Sequence, residues 1–305
     1  MTNIAIVILN WQQPQLTIDT IKSLSKIKFK NFNYQIFLLD NNSQDDSFTI
    51  FKKEFLNISH IKLIQTGNNL GYVGNNVGIK KAIKEDFDYV LLINNDVIVD
   101  PYFLDELLKG SLLGYDIVGP KIYFAPGFEY HHDWYTKKEI GNVIWSAGGQ
   151  IDWDNIYGSN IGVDQVDKKQ FDFINDKIDF LTGCCLLIKT SVFKQIGLLN
   201  DKYFMYLEDM EFCQRAKNNN IKMAYIYKSK IWHVNSGSSK SGGNLHDYFI
   251  TRNRLIFGFK YARLRTKFAL FKESLIQLIS NQSSTWKKKG IIDFYFHKFN
   301  KGSWQ

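Results

Sequence analysis

The first hundred residues repeat one pattern of apolar and polar positions. A short apolar or β-branched run is followed by a polar cluster, then by a longer stretch whose apolar residues recur at helical spacing. Residues 4–9 are apolar throughout, as in a strand buried on both faces, and residues 15–26 follow with a period near 3.6. The alternation continues with a strand at 34–39, a helix at 47–56, a strand at 61–65, a helix at 73–84 and a strand at 89–93. Strands alternating with helices predict an α/β fold with a mainly parallel sheet flanked by helices. From 120 to 173 the pattern loosens into aromatic and glycine-rich segments, which predict a β-rich insertion or binding loop. Order returns with a buried strand over 179–189 broken at Gly183, helices at 191–196 and 208–218, a strand at 221–226 and a helical tail from His246.

Composition narrows this picture. At 305 residues, 45% hydrophobic and 22% charged, the chain can bury a large core, and no repeat or Pro/Gly-rich linker marks a boundary. Three cysteines, two of them the adjacent Cys184 and Cys185, do not form an even disulfide set and suit a reducing compartment. They lack zinc-site spacing and read as buried packing. The start of the chain shows neither a basic leader nor a run that spans a bilayer, so the expected location is the cytoplasm. The net charge of +8 concentrates in residues 252–305, where 12 Lys or Arg face only Glu273 and Asp293. Phe and Leu interleaved with the basic residues of 261–279 favour a membrane-surface helix over an arm that tracks nucleic acid. A helix packed on the domain with a solvated basic face is the alternative.

In a parallel α/β sheet, ligands bind beyond the carboxyl ends of the strands. Polar clusters fall there four times: Asn10-Trp11, Asp40-Asn41-Asn42-Ser43, Gly67-Asn68-Asn69-Leu70-Gly71 and Asn94-Asn95-Asp96. With the third cluster continued as Asn69-Leu70-Gly71-Tyr72-Val73-Gly74-Asn75-Asn76, and with Ser146-Ala147-Gly148-Gly149, Thr182-Gly183-Cys184-Cys185, the run from Tyr203 to Asp209, Trp232-His233 and residues 248–254, these segments resemble the family-2 glycosyltransferases of GT-A fold, in particular the bacterial rhamnosyltransferase-like branch. The resemblance covers about residues 3–260 in the family's order. It implies a Rossmann-like GT-A domain over 1–245, with a donor-binding half at about 1–119 and an acceptor-side half at about 120–245, and a basic amphipathic helical extension over 246–305.

The resemblance also implies roles. Asp40 accepts the N3 proton of a pyrimidine base, a donor that uracil and thymine share. Asp96 is the acid of a metal motif that reads Asn94-Asn95-Asp96 here, with one carboxylate where the family's Asp-x-Asp has two. A hard cation that also binds phosphate and water tolerates that loss. His233 completes the site, and the mixed donors favour Mn²⁺ somewhat over Mg²⁺. Asp209 is the catalytic base and Glu208 orients groups beside it; in isolation, both are also what a helix first turn attracts. Asn10, Asn42, Gly71, Asn75, Asn76, Asn95, Gly183 and Arg252 are candidates for contacting the donor. Trp134, Tyr135, Trp145 and Trp153 are open between sugar stacking and core packing.

The implied reaction is inverting transfer of a sugar, L-rhamnose from dTDP-L-rhamnose before UDP-hexose, UDP-N-acetylhexosamine or UDP-galactofuranose. The acceptor is a glycan or lipid-linked hydroxyl in bacterial surface polysaccharide synthesis. Nucleic acid is not an expected partner; a membrane surface and a second copy of the chain are admitted. A nucleotidyltransferase would carry a basic Gly-rich loop after the first strand, where this chain has Asn10-Trp11-Gln12-Gln13-Pro14. A binding module without chemistry would have no reason to keep Asp40, Asp96, Asp209 and His233 together.

Overall fold

The computed structural model describes residues 1–28, 32–235 and 243–304. The N-terminal part runs β1 (Thr2–Asn10), α1 (Pro14–Leu24), β2 (Phe32–Asp40), α2 (Ser47–Phe55), β3 (Ile61–Gln65), a single 3₁₀ turn (Gly71–Gly74) leading into α3 (Asn75–Lys84), and β4 (Tyr89–Asn94). After it come β5 (Val97–Val99), α4 (Phe103–Leu112), β6 (Ile117–Phe124), β7 (Ile144–Ser146), β8 (Gly149–Asp152) and β9 (Tyr157–Asn160). The chain ends with β10 (Cys185–Lys189), α5 (Thr190–Ile196), α6 (Glu208–Asn218), β11 (Met223–His233), α7 (Asn244–Tyr261), α8 (Leu264–Ile279) and α9 (Thr285–Tyr295).

One sheet organises the fold, in the order β3-β2-β1-β4-β10-β6-β11-β5, with β7 added beside β6. Pairings among β1 to β4, and between β6 and β11, are parallel. β10 runs antiparallel between β4 and β6. The period of two along β1 divides the core: Ile4, Ile6 and Ile8 face one apolar layer, Ala5 and Val7 the other. Burial on both faces is why the strand reads as an unbroken apolar run. Register sets Asn10 beside Asp40 and Leu9 beside Asn94, so β1, β2 and β4 deliver their polar ends to one edge.

Two strand expectations are corrected. Residues 179–184 are not strand: the segment pairs through isolated bridges and a turn, and β10 starts only at Cys185. The strand expected over 221–226 continues to His233 past an irregularity between Ile226 and Lys230, which carries His233 to the cleft. β5, α4 and the start of β6 have no counterpart in the periodicity reading. The expected β-rich insertion is β7 and the β8–β9 hairpin, tied to β6 by the buried Lys121, whose ammonium donates to Asp167 (2.8 Å) and Asp172 (2.6 Å).

The tail is helical, and α7 is built into the domain. Tyr248, Phe249 and Phe257 are fully buried, and Leu255, Ile256 and Phe257 join the apolar layer that contains Ala5 and Val7. α8 is seated by Leu270, which occupies a notch left by Gly258; a Cβ there would lie 2.3 Å from the leucine. Arg254 donates both terminal nitrogens to Glu273 across α7 and α8, at 2.8 and 2.9 Å. Among the described residues no helix is long and apolar enough to cross a membrane. Because Phe257 is a core residue, Phe257→Ala is expected to cost about 3–5 kcal/mol in urea unfolding of the full chain. Little change would place α7 outside the cooperative unit.

Candidate active site

The polar strand ends and the segment before β10 enclose a cleft of about 420 Å³, within the usual range for small-molecule sites. Asn75, Asn95, Asp96, Gly71, Gly183, Glu208, Asp209 and His233 all line it. A second cleft of about 430 Å³ opens between α6, α7 and the β8–β9 hairpin. Thr182, Tyr206, Glu208 and Asp209 line both, so the acidic pair is the partition between two ligand-sized spaces.

On one side lie Asp96 and His233, brought together by the antiparallel pairing of β5 with the end of β11. His233 Nε2 stands 3.1 Å from Asp96 Oδ1, and Trp145 packs edge-on against the imidazole at 4.7 Å. Trp145 thereby helps fix the ring orientation. The imidazole nitrogen and the carboxylate converge closely enough to share one cation. No third His, Cys, Asp or Glu joins them among the described residues. This sparse N/O set fits a divalent ion whose remaining positions are filled by substrate phosphate and water.

On the other side Asp209 sits in the first turn of α6. Its Oδ2 accepts the Gly183 amide at 2.8 Å and its Oδ1 the Met210 amide at 2.7 Å. Burial raises its pKa above the ordinary carboxylate value, against the opposing effect of those amides. Glu208 is raised further, first by burial and then by the adjacent Asp209, and its Oε2 is buried with no hydrogen-bond partner among the described residues. The next acid on the helix, Glu211, behaves oppositely. Burial is the largest influence and pushes its pKa up, but Arg215, Lys260 and Tyr261 together outweigh it and hold the group below its usual value. Glu211 therefore serves as an anionic anchor, receiving Arg215 at 2.9 Å and Lys260 and Tyr261 each at 2.8 Å.

The start of α6 is held by a strained loop. Phe204, Tyr206 and Leu207 all have positive φ, at 61°, 68° and 63°, a region that costs non-glycine residues on the order of 1 kcal/mol each. The buried Asn253 of α7 compensates: its amide donates to the carbonyls of Tyr203 (2.9 Å), Met205 (2.7 Å) and Tyr206 (2.9 Å). Arg252 adds bonds to Lys202 O (3.2 Å) and Tyr203 O (3.1 Å).

Several expected donor contacts are corrected by this arrangement. Arg252 is fully buried beneath that loop and faces no cleft, so the phosphate contact expected of it is replaced by a positioning role. Asn76 is turned away and exchanges two bonds with the backbone of Leu199, at 2.8 and 3.1 Å. Asn42 lies outside the cleft in a left-handed turn (φ 58°); its neighbour Asn41 is the one that lines it, with Oδ1 accepting the Leu70 amide at 3.0 Å and Nδ2 donating to Gly71 O at 3.1 Å. Gly71 is glycine because a Cβ would stand 2.2 Å from the Phe204 carbonyl, and Gly183 because one would stand 2.6 Å from the Tyr72 hydroxyl. The room expected at Gly183 for a sugar is taken by that hydroxyl, which donates to Gly183 O. Asn10 and Asp40 lie just behind the cleft. Asp40 is 1% exposed and accepts from Asn10 Nδ2 (3.4 Å) and the Ser43 amide (3.2 Å).

Other residues also take definite places. Asn95 donates to Thr17 Oγ1 at 3.0 Å, which braces the metal-side turn against α1, and Asn75 donates to Tyr72 O at 2.9 Å. Trp153 packs on Phe257, Tyr135 bonds Asp164 O, and Trp134 is exposed against His131. The three cysteines are free and buried, and burial pushes the Cys213 thiol up to about 12. Asn41, Tyr72 and Asn253 were missed by the sequence reading. All three lie inside segments of the resemblance, but nothing in the sequence says which way an Asn or Tyr turns.

Two outcomes follow from this geometry. Asn253→Ala should take their side-chain donor from the carbonyls of Met205 and Tyr206, Arg252 still serving Tyr203 O, and cost on the order of 2 kcal/mol, with activity falling before the fold is lost; unchanged stability and activity would show that the loop holds itself. Because burial raises its pKa, Glu208 contributes stability fully present below its unfolded value and lost as pH rises through its folded value. Glu208→Gln should therefore raise the melting temperature by a few degrees at neutral pH and give no gain near pH 4, as read by calorimetry across that range.

Comparison with known proteins agrees with this geometry. The chain is 26% identical over 226 residues to the low-salt glycan biosynthesis hexosyltransferase Agl10 of Haloferax volcanii, covering 73% of this chain and 64% of that protein. It is 24% identical over 215 residues to an N-acetylglucosaminyl-diphospho-decaprenol L-rhamnosyltransferase of Mycobacterium tuberculosis, covering 67% of each. The chain thus spans just under two thirds of the archaeal relative's length. Among solved structures, GalNAc-T7 crystallised with UDP, GalNAc and Mn²⁺ superposes with a TM-score of 0.67 at 13% identity, over 97% of this chain and 55% of that one. Residues 1–349 of S. aureus TarS superpose with a TM-score of 0.54 at 14% identity, over 99% and 74%. The fold is that of the GT-A glycosyltransferases. A family model matches residues 2–258, and on that match the chain belongs to the family described as glycosyltransferase like family 2.

Proposed function

We propose that the chain transfers a sugar, with inversion, from a pyrimidine nucleoside-diphosphate donor in the first cleft to a hydroxyl of an acceptor in the second. The observation that carries this reading is that Asp209 lines both spaces. A base between donor and acceptor can take the acceptor's proton while its oxygen attacks the anomeric carbon from the side opposite the diphosphate. That is a single displacement and needs no covalent intermediate. The raised pKa of Asp209 suits the task, since a carboxylate of ordinary pKa is a weaker base. The amides of Gly183 and Met210 fix its orientation, and Glu208, whose pKa burial and then Asp209 raise, stands beside it to orient the acceptor.

Asp96 and His233 would hold Mn²⁺ or Mg²⁺; the presence of Mn²⁺ in the GalNAc-T7 structure supports the first. Such an ion supplies charge neutralisation to the departing diphosphate. Asp40 would recognise the base once its 3.4 Å bond from Asn10 gives way, the weakest it makes. L-Rhamnose carried on dTDP is the first choice of donor, supported by the name of the mycobacterial relative, with a lipid-linked glycan as acceptor and the cytoplasmic face of the membrane as the place. A UDP-hexose, UDP-N-acetylhexosamine or UDP-galactofuranose is the second, supported for UDP by the ligand of GalNAc-T7.

The test is a panel of dTDP- and UDP-sugars with and without each ion, read by release of nucleoside diphosphate. Asp209→Asn should lower turnover by roughly 10²–10⁴-fold and leave nucleoside-diphosphate affinity within about twofold of wild type, a shift below ~0.5 kcal/mol. Full turnover in that variant would remove Asp209 from the chemistry.

A further inference from the structure

The C-terminal helices carry a surface that glycosyl transfer leaves unused. The inward stripe of α8 is Thr266, Leu270, Glu273, Ser274 and Gln277. At 100° per residue, the opposite side of the helix is occupied by Leu264, Phe268, Phe271, Leu275 and Ile279. These are 84%, 70%, 41%, 44% and 83% exposed. A folded domain scatters apolar side chains singly over its surface; five in line on one helix, turned directly away from the core, mark a contact surface.

The charges around the stripe choose between occupants. Arg265 and Lys272 lie on one flank, Lys267 on the other and Arg263 just before the helix, and none of the four has an ion-pair partner among the described residues. The one acid of α8, Glu273, faces inward and is bound by Arg254. A second copy of the same face would bring these cations against one another, and nucleic acid would leave the phenylalanines and leucines in water. An anionic lipid surface satisfies both parts: the apolar stripe enters the boundary between headgroups and acyl chains while the flanking cations meet lipid phosphates.

We infer that the outer face of α8 docks the protein on an anionic lipid bilayer, the helix lying in the plane of the interface. The interaction is electrostatic in its capture and apolar in its retention. It does not depend on the identity of the donor, because none of the stripe residues lines either cleft.

The experiment is flotation of the full chain with vesicles of phosphatidylcholine alone or mixed with phosphatidylglycerol. Wild type should float with the mixed vesicles and be released by raised salt. The Arg265→Gln, Lys272→Gln pair should weaken binding about fivefold per charge removed, and the Phe268→Ser, Leu275→Ser pair by about tenfold or more per side chain. Because all four positions are exposed, melting temperature and nucleoside-diphosphate affinity should match wild type in both variants. Failure to bind nucleotide in every form would strike at the proposed transferase reaction and leave the lipid result standing. Equal flotation of wild type and the serine pair would overturn the inference. So would a wild type that ignores vesicles and is a dimer that the serine pair dissociates, since the stripe would then be an interface between copies.

Discussion

The fold depends most on one buried amide. Asn253 reaches from α7 to three carbonyls of the loop before α6 and holds in place a backbone that three non-glycine residues would otherwise leave. From that loop the Phe204 carbonyl extends to the Tyr72 amide at 2.8 Å, in the space that Gly71 leaves open. Tyr72 in turn donates to the carbonyl of Gly183, whose amide orients Asp209. A chain of short polar contacts thus joins the tail, the 3₁₀ turn before α3 and the helix that carries Asp209. Local strain is stable here because the surroundings over-determine it.

Electrostatics then differentiate three acids on a single helix turn. Glu208 and Asp209 are buried without a cation beside them, whereas Glu211 is buried among Arg215, Lys260 and Tyr261. Acids of one helix turn are therefore shifted in opposite directions, Glu208 and Asp209 upward and Glu211 downward. Desolvation without compensation leaves a proton-accepting site, and desolvation with compensation leaves a structural joint.

Much of the sheet was legible because a strand buried on both faces is apolar throughout and its end is marked by polar residues. β3 and α6 match residue for residue, and β1, α2 and α3 nearly so. The segment 179–184 misled because buried irregular chain is as apolar as strand, and α4 and β5 were missed in a stretch where turn and helix signals overlap. At the site, residue types at strand ends pointed to the cleft, but the direction of each side chain was hidden. Asn41 and Asn42 are equivalent in sequence, yet a positive φ at Asn42 turns only one of them inward. Arg252 looked like a phosphate ligand because charge is visible in a sequence and burial is not.

The reversed strand has a wider consequence. β6 runs toward the cleft and β10 runs away from it, so residues 125–184 form one excursion between them, attached to the sheet by β7 beside β6 and by the Asn175–Tyr225 bridge. A cassette closed in this way can lengthen, shorten or be exchanged without shifting the register of any core strand, at a cost in loop entropy that grows only with the logarithm of its length. It also contributes Trp145 and Gly183 to one cleft, the β8–β9 hairpin to the other, and Thr182 to the partition between them. The architecture separates what must stay constant from what can be rewritten: editing one excursion reshapes the walls of both clefts while the register of the core strands is inherited intact.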